Sequence, residues 1–77
     1  MMVSLEKEVA EELITYKLRK IQDLISDILS RWNETLADSF LSKARDGTYL
    51  EAENDAIELR QHLLDEEKLQ KLLESLG

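Results

Sequence analysis

The chain has 77 residues, of which 17 are acidic and 10 are basic, so its net charge is −7. The absence of cysteine excludes disulfides and thiolate zinc sites, and a single histidine disfavours a structural metal. Nucleic acid is not expected as a ligand, because a polyanion is bound by cations that release its counterions, whereas an acidic chain suits a basic protein. No apolar run approaches the roughly 20 residues that cross a bilayer, and acidic residues begin at Glu6. We therefore expect a cytoplasmic protein with no cofactor and no membrane contact.

Helical periodicity runs through almost the whole chain, which has no proline and only two glycines. This pattern predicts an all-α fold: a single domain over 1–77, with a long N-terminal helix, a short middle helix and a C-terminal helix packed as a helical hairpin or bundle. A chain this short buries only about 60% of the surface that it exposes when unfolded. We expect a second chain to complete the bundle.

The first helix is predicted over about 4–32, and its second half repeats apolar residues in steps of four and three, as in a coiled coil. At 1.5 Å per residue it is about 42 Å long, whereas a compact globule of this size has a radius of gyration near 11 Å. Its own chain is too short to cover it, so we predict that this stripe contacts another chain. The predicted partner or dimer interface comprises Ile14, Leu18, Ile21, Ile25, Ile28, Trp32, Tyr49, Leu59 and Leu63.

The first half of the same helix carries a second apolar face, a third to half a turn away from the first. It is formed by Met2, Leu5, Val9, Leu13 and Tyr16. Four C-terminal leucines are also out of phase with the rest of their helix: Leu69, Leu72, Leu73 and Leu76. The segment 65–77 is either a separate short helix or a continuation, and it serves either as core, docked on the second face, or as an arm that reaches a partner.

Capping signals divide the remaining helices. Thr35 with Asp38 resembles a capping box, and Gly47 ends the middle helix because glycine takes the left-handed conformation at low cost. Thr48 with Glu51 is a regular capping box that starts the third helix. The middle helix is expected to direct inward Leu36, Phe40, Leu41 and Ala44, and the third helix Tyr49, Ala52, Ala56, Leu59 and Leu63.

Candidate catalytic groups are few. His62 lies one turn from Glu58 and one from Glu66, but the Glu-x-x-His pattern of di-iron bundles is absent, so we interpret it as a surface histidine. Glu8 with Glu11 fits the first carboxylate pair of all-helical nucleotide pyrophosphatases, and the second pair is missing. Acidic residues in a first turn also favour the helix dipole. We expect no enzymatic activity.

Two carboxylates of the third helix, Asp55 and Glu58, are candidates for contact with a basic partner, with surface solubility charges as the alternative. They belong to a wider pattern formed by the run 12–21, the Trp32-Asn33 break, Phe40-Leu41 and the segment 55–59. Together these resemble a group of small archaeal antitoxins over about 12–64. This sequence has Asn33 and Leu59 where that group has glycine and tryptophan. The resemblance implies an acidic helical antitoxin that wraps a basic ribonuclease toxin.

Three functional hypotheses follow. The leading one is a non-enzymatic protein–protein interaction module, antitoxin-like, that binds a basic toxin. The second is a homodimeric helical bundle with a structural role, in which the long helices cover each other. The third is a metal-dependent all-α nucleotide pyrophosphatase.

Overall fold

The computed structural model describes the backbone of residues 2–76 and the side chains of residues 6–76. It contains three helices: α1 (Met2–Arg31), α2 (Ala37–Asp46) and α3 (Glu53–Leu76). The part of the chain thus described contains no strand. The predicted all-α fold with a long, a short and a second long helix is confirmed.

The end of α1 is a Schellman motif. The amide of Glu34 donates to the Leu29 carbonyl over 2.9 Å, and the amide of Asn33 donates to the Ser30 carbonyl over 3.1 Å. Asn33 adopts the left-handed conformation with φ +59°, which asparagine tolerates better than most residues. The predicted break at Trp32-Asn33 is confirmed, and it allows the chain to reverse.

The start of α2 differs from the prediction. Leu36 is its N-cap residue, with extended φ −118° and ψ 130°, and no side chain caps the helix, so the expected capping box of Thr35 and Asp38 is wrong. The extended backbone also turns Leu36 outward, and 67% of this residue is exposed rather than buried. The hydroxyl of Ser39 in the first turn instead donates to Glu34 Oε1 over 3.2 Å.

The connection from α2 to α3 also differs from its predicted capping. Gly47 ends α2 with φ +88°, as predicted. The amide and the hydroxyl of Thr48 both donate to Asp46 Oδ1, over 2.9 and 2.6 Å, so Thr48 is engaged with the preceding helix. It therefore does not cap α3, which begins only at Glu53. The predicted capping box of Thr48 and Glu51 is wrong.

The two long helices form an antiparallel hairpin. Arg31 contacts Asp55 over 3.2 Å near the connection; fourteen residues further along each helix, Lys17 and Leu69 line one groove. Helix α3 runs without interruption through Asp65, so the C-terminal segment is a continuation and not a separate helix. The molecule is elongated, 55 × 17 × 17 Å, with a radius of gyration of 15.8 Å. We call residues 21–64 the turn half, and residues 6–20 with 65–76 the open half.

The hydrophobic core lies in the turn half, where α2 covers one side of the hairpin. Phe40 of α2 and Leu59 of α3 are fully buried, and Ile28 of α1 is 2% exposed. Small residues, Ala52 and Ala56, belong to the same cluster and let α2 approach closely. In the open half, α1 and α3 have only each other as partners among the described elements.

Candidate interaction surfaces

The stripe that was predicted to contact a partner packs largely inside the chain. Ile21, Ile28 and Leu59 are buried, with at most 6% of their surface exposed. Four more members pack against the core: Ile25, Trp32, Tyr49 and Leu63. Ile14 and Leu18 are half-buried in the open half. The chain's own helices therefore cover most of the residues predicted for the interface.

Three aromatic rings close the turn half. The ring centroid of Trp32 lies 5.8 Å from that of Phe40 and 5.0 Å from that of Tyr49, and Phe40 and Tyr49 are 5.9 Å apart. These separations are typical of favourable aromatic pairs, which add about 0.5–1.5 kcal/mol beyond the area they bury. Trp32 and Tyr49 thus hold the two connections of the chain together.

Asp55 is engaged within the chain. Its Oδ2 accepts a hydrogen bond of 2.8 Å from Trp32 Nε1, and its Oδ1 accepts one of 3.2 Å from Arg31. Both donors lie at the end of α1, so Asp55 joins α3 to α1 at the closed end of the hairpin. A partner that contacted this carboxylate would have to compete with these two donors. Glu58, the other predicted contact, is exposed.

Glu34 is the centre of a polar cluster that sequence reasoning missed. Its carboxylate accepts hydrogen bonds from Lys43 over 2.7 Å, from Ser39 and from the hydroxyl of Tyr49, and only 9% of its side chain is exposed. The donors Lys43 and Tyr49 lower the pKa of Glu34 below its ordinary value, and the same carboxylate raises the pKa of Lys43 and of Tyr49. The partners are 5, 9 and 15 residues from Glu34, so no helical spacing signals the cluster.

Three exposed carboxylates lie on the side of the turn half opposite α2. Asp27 precedes buried Leu29 by two residues, and Glu58 follows buried Ala56 by two, so each points about 200° away from a residue packed around α2. Asp23 lies one turn before Asp27. All three carboxylates are exposed, and none takes part in an ion pair among the described side chains. We call Asp23, Asp27 and Glu58 the acidic face.

The open half has an apolar surface. Val9, Leu13 and Tyr16 of α1 are 51%, 64% and 66% exposed, and Leu72 of α3 is 49% exposed. Glu6, Val9, Ala10 and Leu13 line a shallow groove on this surface. Docking on the second face of α1, one of the two alternatives for the C-terminal leucines, does not describe Leu69. This residue lines one groove with Lys17 and with Ile21 of the other stripe, while Val9, Leu13 and Tyr16 of the second face stay exposed. Met2 and Leu5, which continue that face in sequence, lie outside the described side chains.

Two further kinds of site, a metal-binding cluster and a membrane-spanning helix, can be assessed for the described residues. Within the described residues, no three histidine or acidic side chains converge as a metal would require. No described helix is long and apolar enough to span a membrane.

Comparison with known proteins gives no relative. The chain matches no family model, no curated protein and no solved structure. Its surfaces are therefore interpreted from their own chemistry.

Proposed function

We propose that the chain is a non-enzymatic binding module that recognises a basic protein through its acidic face, as an antitoxin recognises a toxin. The observation that carries the proposal is the uneven distribution of charge. The turn half has nine acidic and four basic side chains, a net charge of −5, whereas residues 1–20 are neutral and residues 65–77 carry −2. Concentrated charge of one sign steers an oppositely charged protein and accelerates its association.

The carboxylates of the acidic face suit this role because they make no ion pair with another described side chain. Asp55 and Glu34 are engaged by donors of their own chain, but Asp23, Asp27 and Glu58 are exposed and have no ion-pair partner among the described side chains. Leu24, which is 41% exposed, stands between Asp23 and Asp27 and offers an apolar contact. A basic partner would gain hydrogen bonds here without breaking those of the hairpin.

The test is a binding measurement with the most basic product of the genes that flank the one for this chain. We expect a complex whose affinity falls with salt, because exposed charges are screened. The double variant Asp27→Asn with Glu58→Gln should bind several-fold more weakly. The matched control, Glu12→Gln with Glu74→Gln, removes the same charge from the open half and should bind as the wild type does. Equal affinity of both double variants, or no complex with either flanking product, would overturn the proposal.

A further inference from the structure

The apolar surface of α1 ends in opposite charges. Glu6, Val9, Leu13, Tyr16 and Lys20 follow one another in steps of three and four, so they form one line along the helix, which we call the α1 seam. All five side chains are exposed. A line of three apolar residues between an acidic and a basic residue is the pattern of a helix that packs against another helix.

The α1 seam is complementary to itself when reversed. Glu6 lies seven residues before Leu13, and Lys20 lies seven residues after it. A two-fold axis through Leu13 would therefore place Glu6 level with Lys20 of a second copy, twice, and Val9 within one residue of the level of Tyr16. An isologous interface requires this reciprocity, in which each contact recurs with the two copies exchanged.

The C-terminal leucines of α3 are also symmetric, and their centre lies close to the same two-fold axis. Leu69, Leu72, Leu73 and Leu76 are spaced symmetrically about the Leu72–Leu73 bond. In the hairpin, Lys17 and Leu69 line one groove. Extending this register by four residues along each antiparallel helix puts Leu13 level with Leu73. One two-fold axis thus serves both helices, with α1 antiparallel to α1 and α3 antiparallel to α3 of a second copy. The leucine spacing is independent of the charges at the ends of the α1 seam.

The accessible surface area and the distribution of charge both favour a second copy of the chain as the occupant of the α1 seam. The accessible surface is 5989 Å², whereas a compact monomer of 9.0 kDa has about 4,900 Å². The surplus of about 1,100 Å² exceeds the share of about 800 Å² that each partner buries in a standard interface. The antiparallel arrangement also directs the two turn halves, each with net charge −5, to opposite ends of the dimer.

We propose that a second copy of this chain docks on the α1 seam in antiparallel orientation, so that two hairpins form a four-helix bundle. The bundle contains two pairs of Glu6 with Lys20 and leaves both acidic faces free. Self-association is thereby separate from the recognition of a basic partner, and either can fail without the other.

Charge reversal with rescue tests the register by sedimentation equilibrium. Glu6→Lys alone and Lys20→Glu alone each create two like-charge pairs and should weaken the dimer about tenfold, while the double reversal restores it. Glu8 and Lys7 lie more than 100° around α1 from the centre of the seam and are also exposed. Their reversals, alone and together, change the net charge identically and should leave the dimer at wild-type affinity.

A second pair of variants tests the apolar residue at the centre of the α1 seam. Leu13→Asp should abolish the dimer and leave a folded monomer, because Leu13 is exposed in the single chain. Leu50→Asp, at a residue that is 88% exposed in the connection before α3, is the control and should remain dimeric. A wild-type chain that stays monomeric up to millimolar concentration overturns the proposal. A dimer that Leu13→Asp leaves intact, or that the double reversal fails to restore, overturns it as well.

Discussion

At the scale of single residues, Glu34 connects the break after α1 to both later segments. Its folded-state pKa lies below the ordinary 4.5, because Lys43 and Tyr49 donate to its carboxylate. A lowered pKa means that its contribution to stability is complete above the unfolded-state pKa and is lost as the pH falls through the folded-state pKa.

Glu34→Gln should therefore lower the free energy of unfolding near neutral pH, and the difference from the wild type should shrink between about pH 5 and about pH 2. Urea denaturation at several pH values measures this difference. Glu51→Gln, at an exposed glutamate in the connection before α3, should show no comparable pH-dependent difference. If the free energies of unfolding of the wild type and of Glu34→Gln still differ by the same amount in acid, ionisation of this carboxylate does not contribute to stability.

Gly47 is a second residue whose replacement has a defined cost. Its φ of +88° is disfavoured for residues with a Cβ, but a Cβ built there meets no atom within 4 Å. Gly47→Ala should thus be destabilising by about 1–2 kcal/mol through backbone strain alone. Gly47→Asn should cost less, since asparagine tolerates the left-handed region better than alanine does. Thermal midpoints of the wild type and the two variants give their order of stability. An alanine variant as stable as the wild type would contradict the claim that a Cβ at this position strains the backbone.

At the scale of elements, periodicity predicted the three helices and core residues such as Ile28, Phe40 and Leu59, but it wrongly placed Leu36 inward. The stripe from Ile25 to Trp32 was found because a helix repeats every 3.6 residues. Periodicity shows that a stripe is covered but not which chain covers it, and here α3 covers much of what was expected to contact a partner. The caps at Thr35 and Thr48 failed for a related reason. Hydrogen bonds to Glu34 and Asp46 decide the local geometry there. Ser39 reaches Glu34 across five residues, and Thr48 bonds Asp46 in an Asx turn that competes with the cap.

The C-terminal segment of α3 makes a prediction at this scale. Leu69, Leu73 and Leu76 are half-buried, and Leu69 lines one groove with Lys17 and Ile21 of α1. Deleting residues 66–77 should therefore uncover Ile21 and the half-buried residues before it. We expect a lower thermal midpoint, fraying of the first half of α1 in hydrogen exchange, and loss of the proposed dimer. Isolated helical segments of this length are marginal in water. A truncated chain with an unchanged midpoint and unchanged protection of α1 would mean that the open half contributes nothing to stability.

At the scale of the whole molecule, the two halves of the hairpin have different chemistry. The turn half holds the aromatic core and a net charge of −5, while the open half exposes apolar side chains and carries only −2. This division explains how one short chain could combine self-association with recognition of a basic protein. The total charge of −7 was evident from composition, whereas the −5 of the turn half becomes apparent only when the charges are assigned to the two halves of the hairpin.

The most direct test of the proposed function is to map the binding surface by NMR. The labelled chain is titrated with the basic partner, and amide shifts are followed residue by residue. We predict that the largest changes cluster around Asp23, Asp27 and Glu58, while amides around Leu13 stay unchanged at constant dimer fraction. Changes centred on the open half, or spread through the core around Phe40, would contradict recognition through the acidic face.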